Sequence, residues 1–330
     1  MDVEPVGVGF GVMSLLFRLT PTYDEPGAGP DTVIVKLAPL HEETRQVARG
    51  YDFYRREVEV YRRLGDGIGL RRPRLFFADH DEASDDFVVV MEDLAGHRVC
   101  DQLAGCSLED ATLAVTRLAE HHARWWNDPR LKELDFTPST ADPPYPQYNE
   151  RQTAEAWPPC REKVGHLIPT ELVWLGDHFP EIGPRIMEAV DDHPWTLIHG
   201  DFRLDNLFFH DDPAGTLTAV DWQISFRAAA TSDLGYFMSQ SLTVEDRRSH
   251  EREILDTYHS TLATNGVTDY PEDELWDDYR RLVLFCFTYP MSAAGQLDLS
   301  NERAAALVGS MMERSVAAIL DLDALELVPG

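Results

Sequence analysis

An Asp, an Asn five residues later and a further Asp leaving an apolar strand have the types and spacing that phosphoryl transfer requires. They stand in His199-Gly200-Asp201-Phe202-Arg203-Leu204-Asp205-Asn206, followed by Leu207-Phe208-Phe209, and in Ala219-Val220-Asp221-Trp222. In such a set Asp201 orients a substrate hydroxyl and accepts its proton. The amide oxygen of Asn206 and the carboxylate of Asp221 then hold Mg²⁺ on the phosphates, as hard oxygen donors suit that ion. Taken alone, the block also reads as a surface turn in which Asp201 and Asn206 cap a helix.

Upstream residues favour the chemical reading. Gly7-Val-Gly9-Phe-Gly11-Val-Met-Ser14 is a glycine-rich turn whose backbone N–H groups can approach phosphates, a weak signal by itself. Lys36 sits inside the apolar run Val33–Leu37, where an ammonium needs a partner. Glu57, twenty-one residues on, falls on the next helical stretch and can pair with Lys36 and aim it at the α/β-phosphates. An edge-strand lysine facing solvent is the ordinary alternative. It is hard to sustain here, because Lys36, Lys132 and Lys163 are the only lysines of the chain.

The elements that must position these groups can be read in outline. Val33–Leu37 and Phe87–Met91 are β-branched or apolar runs that predict buried strands, and Tyr23–Pro30 is composed like a hairpin loop. Residues 41–64 read as helical. After Met91 the chain turns predominantly helical, with capping-box starts at Ser107 and Thr243, a start at Pro271 and a last helix capped by Ser300. The Pro- and aromatic-rich segment 136–160 reads as a long loop or lid. The reading is α+β: a small β-rich lobe over residues 1–94, including the connector, and a larger mainly helical lobe over 95–330.

The glycine turn, Lys36, Glu57, Met91-Glu92-Asp93-Leu94, HGDFRLDN and VDW together resemble the aminoglycoside phosphotransferase/choline kinase superfamily. GVGFGVMS, LAEHHARWWN at 118–127, DWQ and SDLGYFMSQSL at 232–242 are most similar to its ecdysteroid kinase-like group, over roughly residues 6–320. The resemblance implies a bilobal protein-kinase-like fold with an ATP cleft between the lobes, and transfer of the γ-phosphate to a small-molecule hydroxyl. By the same resemblance Asp201 is the base, and Asn206 and Asp221 are the metal ligands. Lys36 and Glu57 are the phosphate-orienting pair, and the backbone at Glu92 and Leu94 receives adenine. Arg203 occupies a position suited to steadying the transferring phosphoryl charge. His199 is read as structural, and Asp233 as a brace for the catalytic loop. Only six residues precede the glycine turn, so the first strand is expected to be short or frayed. Gln223 stands where protein kinases carry the glycine of Asp-Phe-Gly. Only twelve residues separate Asp221 from Asp233, which leaves no room for a long activation loop and argues against a protein substrate.

Composition bounds the function. The 330 residues carry 29 Lys+Arg against 58 Asp+Glu, a net charge of −29, which argues against nucleic acid and anionic membrane as partners. The start of the chain shows neither a basic region nor an apolar core of a secretory signal, and four cysteines without CxxC spacing read as reduced thiols. A soluble, cytoplasmic protein is therefore expected. The nucleotide must find local positive charge in Lys36, Arg203, the glycine-turn amides and Mg²⁺. The acidity itself is read as compositional, with a cationic acceptor as the alternative.

Adjacent His121 and His122 point about 100° apart on a helix and read as core packing with one ring facing solvent rather than as a metal pair. Tyr145, Tyr148, Trp157 and Trp174 are open to two readings, stacking on an acceptor or packing a lid. The expected acceptor is a hydroxylated hydrophobic compound, steroid- or polyketide-like. Alternatives are an aminoglycoside or choline-like kinase and a catalytically silent nucleotide-binding module on the same fold. A metal-dependent hydrolase lacks the paired histidines such sites recruit.

Overall fold

A computed structural model describes residues 2–6, 13–191 and 193–329. The chain forms two compact units, Met1–Arg98 with Phe208–Ser225, and Val99–Leu207 with Phe226–Gly330. The segment after HGDFRLDN thus returns to the first unit and carries Asp221 there.

The first unit is built on an antiparallel sheet in the order β1-β2-β3-β5-β4, from β1 (Asp2–Val6), β2 (Leu15–Thr20), β3 (Val33–Leu37), β4 (Leu75–Asp81) and β5 (Asp86–Glu92). The strand β1, expected to be short or frayed, is as long as β3, and all five of its residues pair with β2. Central β3 places Lys36 opposite Leu16 on one side and Val89 on the other. The helical stretch foreseen over 41–64 is interrupted. Asp52 adopts a left-handed conformation (φ +58°) that separates α1 (Glu42–Tyr51) from α2 (Phe53–Glu59), and a π-helical turn, Val60–Leu64, follows. Tyr54 stacks on Phe87 at 4.3 Å and, with Val58, Val60, Tyr61 and Val89, fills the core that fixes α2. β7 (Leu207–Phe209) and β8 (Leu217–Ala219) pair in a hairpin, and the backbone N–H of Ala219 donates to the Arg71 carbonyl at 2.8 Å.

The second unit is mainly helical. Ser107 caps α3 (Leu108–Arg124) and Thr243 caps α7 (Val244–Thr264), each hydroxyl accepting an N–H three residues on at 3.1 Å. Pro271 precedes α8 (Glu272–Phe285). The cap of α10 (Glu302–Asp321) is Asn301 rather than Ser300, because the Asn301 side chain reaches the Ala304 N–H at 3.0 Å while Ser300 is engaged by Asp298. The segment 136–160 is largely not a loop: α4 runs Tyr145–Val164 through Pro158 and Pro159. Asn149, Thr153, Ala156, Trp157, Cys160 and Val164 form one buried stripe of that helix, which packs on α5 (Thr170–Asp191) and α9 (Thr288–Gln296). Packing outweighs the local disfavour of proline. Phe179, Phe202, Phe237, Tyr258, Phe287 and Met312 are among the buried core residues, around the two-stranded β6 (Trp195–Ile198) and β9 (Phe226–Ala229) and α6 (Thr231–Gln240). All four cysteines are free thiols. Among the described residues no helix is long and apolar enough to cross a membrane.

Candidate active site

Lys36, Glu57 and Asp221 meet in the first unit. The Lys36 ammonium, 3% exposed, lies 2.7 Å from Glu57 Oε2 and 2.9 Å from Asp221 Oδ1. Sequence dictates the arrangement step by step. Lys36 interrupts an apolar strand whose neighbours are buried, so its charge must be matched in place. The packed α2 delivers Glu57, itself fully buried, and Asp221 leaves β8 in a left-handed turn at φ +68°. Trp222, locked by its indole N–H on the Ala219 carbonyl at 3.1 Å, fixes that turn. Fully buried Arg56 ties the same turn to α2 by donating to the Gln223 carbonyl at 3.3 Å. Burial alone would depress the Lys36 ammonium, but the Asp221 and Glu57 carboxylates more than offset it and hold its pKa above the ordinary lysine range. Burial pushes Glu57 up against the pull of Lys36.

The side chains of the connector are immobilised on the same unit. Met91 is buried against the Tyr61 hydroxyl. Glu92 receives the Arg71 guanidinium at 2.9 and 3.1 Å, and its own N–H is committed to the Arg74 carbonyl at 2.9 Å. Asp93 accepts from Arg18 and from the Ala95 N–H, and Leu94 is buried. Ser14 lies just before β2; Gly7, Gly9 and Gly11 lie outside the described residues.

Asp201, Arg203 and Asn206 meet in the second unit. Beyond β6 the chain turns at Gly200 (φ +84°), a conformation that glycine adopts at little cost. Asn206 donates its amide Nδ2 to Asp201 Oδ2 at 2.8 Å and to the Asp201 carbonyl at 2.9 Å. The Arg203 guanidinium bridges two carboxylates, Asp201 Oδ1 at 3.2 Å and Asp205 Oδ2 at 2.8 Å. Burial raises the pKa of Asp205, with Arg203 opposing the rise. Beneath the turn, Asp233 accepts from the N–H groups of His199 and Gly200, both at 2.7 Å, and from His122 Nε2 at 3.2 Å. His122 Nδ1 faces the Tyr258 hydroxyl at 2.7 Å. Burial pushes the Asp233 carboxyl up, but these donors overcome it and hold it below the usual carboxylate range.

Asp233 therefore braces the loop at 199–200, as expected of it, and His199 is fully buried and packed edge-on against Phe202. The reading of the histidine pair needs correction: His121 and His122 are both fully buried and neither faces solvent, since His122 is the link from Asp233 to Tyr258. The signal was present in the pair's helical position, whereas nothing in the sequence marks Tyr258 as its partner. Of the four aromatics, Trp157 is buried with its N–H on Asp177 at 2.7 Å, and Tyr145 meets Phe226 edge-on. Trp174 is half exposed and stacks on His178.

In donor chemistry Asn206 and Asp221, each within its own unit, suit a divalent metal. With Nδ2 engaged on Asp201, Asn206 keeps its amide oxygen to offer, and the Asp221 carboxylate is 28% exposed although Lys36 binds one of its oxygens.

Known proteins place the fold. A 118-residue segment is 30% identical to acyl-CoA dehydrogenase family member 10 of Mus musculus, covering 34% of this chain and 9% of that protein. The chain therefore matches only a small part of that relative's length. Choline kinase from Cryptosporidium parvum superposes with a TM-score of 0.60 at 12% identity, over 99% of this chain and 92% of that one. Amicoumacin kinase hAmiN, solved with AMP-PNP, Ca²⁺ and Ami, gives 0.57 at 14% identity over 95% and 87%. The fold is thus the protein-kinase-like fold of small-molecule phosphotransferases, a β-rich amino-terminal part followed by a helical one. With the ecdysteroid kinase-like profile matching residues 9–267, the chain belongs to the ecdysteroid kinase-like family.

Proposed function

We propose that the protein is an ATP- and Mg²⁺-dependent O-phosphotransferase that moves the γ-phosphate to a hydroxyl of a small molecule. The observation that carries this reading is the buried Lys36 ammonium held by Glu57 and Asp221 at 2.7 and 2.9 Å. A lysine so fixed is a preorganised positive charge for the α/β-phosphates, which a surface ion pair would not provide. The glycine turn, with Gly7, Gly9, Gly11 and Ser14, offers backbone N–H groups to the phosphates. The connector backbone at Glu92 and Leu94 receives adenine.

Asp201 takes the hydroxyl proton. Asn206 and Arg203 fix its carboxylate from either side, so one orientation is available when the acceptor arrives. Arg203 then counters charge that develops on the transferring phosphoryl group. Asn206 and Asp221 hold Mg²⁺, which neutralises phosphate charge when bound. A hydroxylated hydrophobic compound is the acceptor class, in keeping with the family's name.

An ATP-consumption screen over diverse alcohols, with mass detection of products gaining one phosphate, tests the reading. Asp201→Ala should lower transfer by about 10²–10⁴-fold while AMP-PNP binding persists. Unchanged turnover would remove Asp201 from the mechanism, and nucleotide binding with no phosphorylated product across the panel would leave a silent binding module.

A further inference from the structure

Four hydrogen-bond demands of the loop 199–206 are met by its own backbone or by Asp233. The Arg203 N–H donates to the Asp201 carbonyl at 3.0 Å and the Asn206 N–H to the Arg203 carbonyl at 2.9 Å, while Asp233 takes His199 and Gly200. Leu204, midway between base and amide, is fully buried and sits at the start of the turn Leu204–Asn206. Its N–H finds its acceptor 102 residues away, in Gln102 Oε1 at 3.0 Å.

Gln102 is 3% exposed and lies in the segment that precedes α3. Its other amide atom, Nε2, donates to the carbonyl of Gln240 at the end of α6, at 2.6 Å. The two partners fix the amide's orientation, since a flip would set an N–H against an N–H and an oxygen against an oxygen. The segment itself is anchored from α10. Arg314, 6% exposed, donates to the carbonyls of Gln102 and Leu103 at 2.8 Å each and to that of Gln240 at 2.7 Å. Burial lowers the pKa of this guanidinium.

We propose that Gln102 is a positioning residue for phosphoryl transfer, acting through the Leu204 N–H to fix the separation of Asp201 and Asn206. The inference rests on the kinase reading above and adds a determinant of rate to it. Asp233 anchors the loop where it enters, at His199 and Gly200, and Gln102 anchors it in the middle. Without the second anchor the turn carrying Arg203, Asp205 and Asn206 can shift while β6 stays in place. A shift of about 1 Å in such a site costs up to about 10²-fold in rate. The Gln102 bond is neutral and buried, so its effect does not follow pH.

Gln102→Met keeps length and removes both bonds. Gln102→Glu keeps an acceptor for Leu204 and loses the donor to Gln240, with Arg314 close enough to offset its charge. The experiment measures ADP release from MgATP, with the acceptor found by the alcohol screen or with water, together with MgAMP-PNP affinity and amide hydrogen exchange. The Met variant should lose about 10- to 100-fold in kcat, with MgAMP-PNP affinity falling by much less, because the turn that shifts also carries Asn206 while Lys36 and Asp221 stay in place. The peptide spanning residues 203–206 should exchange at least about tenfold faster, with peptides of α3 and α7 unchanged. The Glu variant should recover most of the rate and most of the protection. A Met variant with wild-type kcat, or with 203–206 as protected as in wild type, overturns the proposal. So does a Glu variant that loses as much as Met. If the wild-type protein transfers phosphate to nothing, the kinase reading fails by itself, and the exchange of residues 203–206 still decides whether Gln102 anchors the turn.

Discussion

Replacing Asp233 by Asn is the sharpest test of how the loop 199–206 is held. The carboxylate accepts from two backbone N–H groups at 2.7 Å and from His122 at 3.2 Å, all in the buried interior. Asn keeps one oxygen, enough for one backbone N–H, and turns an NH₂ group toward the other. One charge-assisted bond, worth about 1.5–3 kcal/mol, is lost and its N–H is left buried without an acceptor. The surviving bond falls to neutral strength, so the total loss is about 3–5 kcal/mol. Urea unfolding of wild type and variant, compared at equal slope, reads this directly. A loss below about 1 kcal/mol would refute the bracing role, as these bonds could not then be holding the loop.

The same substitution has a signed pH dependence. Burial opposes ionisation of Asp233, but its donors prevail and depress its folded-state pKa below the ordinary aspartate value. A depressed carboxyl contributes stability above the unfolded pKa and loses it as pH falls through the folded value. The gap between wild type and Asp233→Asn should therefore be flat at neutral pH and narrow only below about pH 4. A gap that closes with rising pH would contradict the assignment.

Lys36→Met should lower kcat/KM for ATP by at least about 10²-fold and destabilise the protein by about 3–5 kcal/mol, because Glu57 is left buried beside Asp221. Lys36→Met/Glu57→Gln, compared by urea unfolding, should recover part of that stability without recovering activity. Gly176→Ala drives a methyl into the Trp157 ring, which is buried and packed, and should cost at least about 1–3 kcal/mol. Gly309→Ala, in the interior of α10 with nothing within 4 Å of its added methyl, should gain about 0.5–1 kcal/mol in thermal unfolding.

What the sequence made legible follows from how local each signal is. Ser107 and Thr243 announce their helices because a hydroxyl cap and its N–H lie three residues apart. The pairing of Lys36 with Glu57 was legible because a charge inside an apolar strand demands a partner on the next element. The α4 helix was hidden by its prolines and aromatics, and only packing against α5 and α9 over its buried stripe explains it. Gln102 was invisible for a different reason. Its neighbours in sequence say nothing of Leu204, and a neutral amide leaves no charge to be explained. The return of residues 208–225 to the first unit depends on strand pairing that no local pattern encodes.

Exposure separates the groups proposed to act from the groups that hold them. Asp201 is 18%, Arg203 21% and Asp221 28% exposed, whereas Glu57 is 0%, Asp233 1% and Gln102 3%. A group that must meet phosphate or alcohol needs an open side, and so cannot be locked by burial alone. Its geometry has to come from a buried neighbour that touches nothing but protein. Lys36 at 3% and Asn206 at 7% are exceptions, the first held by two carboxylates and the second by Asp201. The division predicts distinct signatures for the two classes. Asp201→Ala removes a partly solvated carboxylate engaged by Asn206, Arg203 and Tyr236, and should cost rate heavily but stability by only about 1–2 kcal/mol, less than Asp233→Asn. Asp233→Asn should cost both at once. If Asp201→Ala unfolds at a urea midpoint as low as that of Asp233→Asn, the exposed groups are themselves part of the fold's support and the division fails.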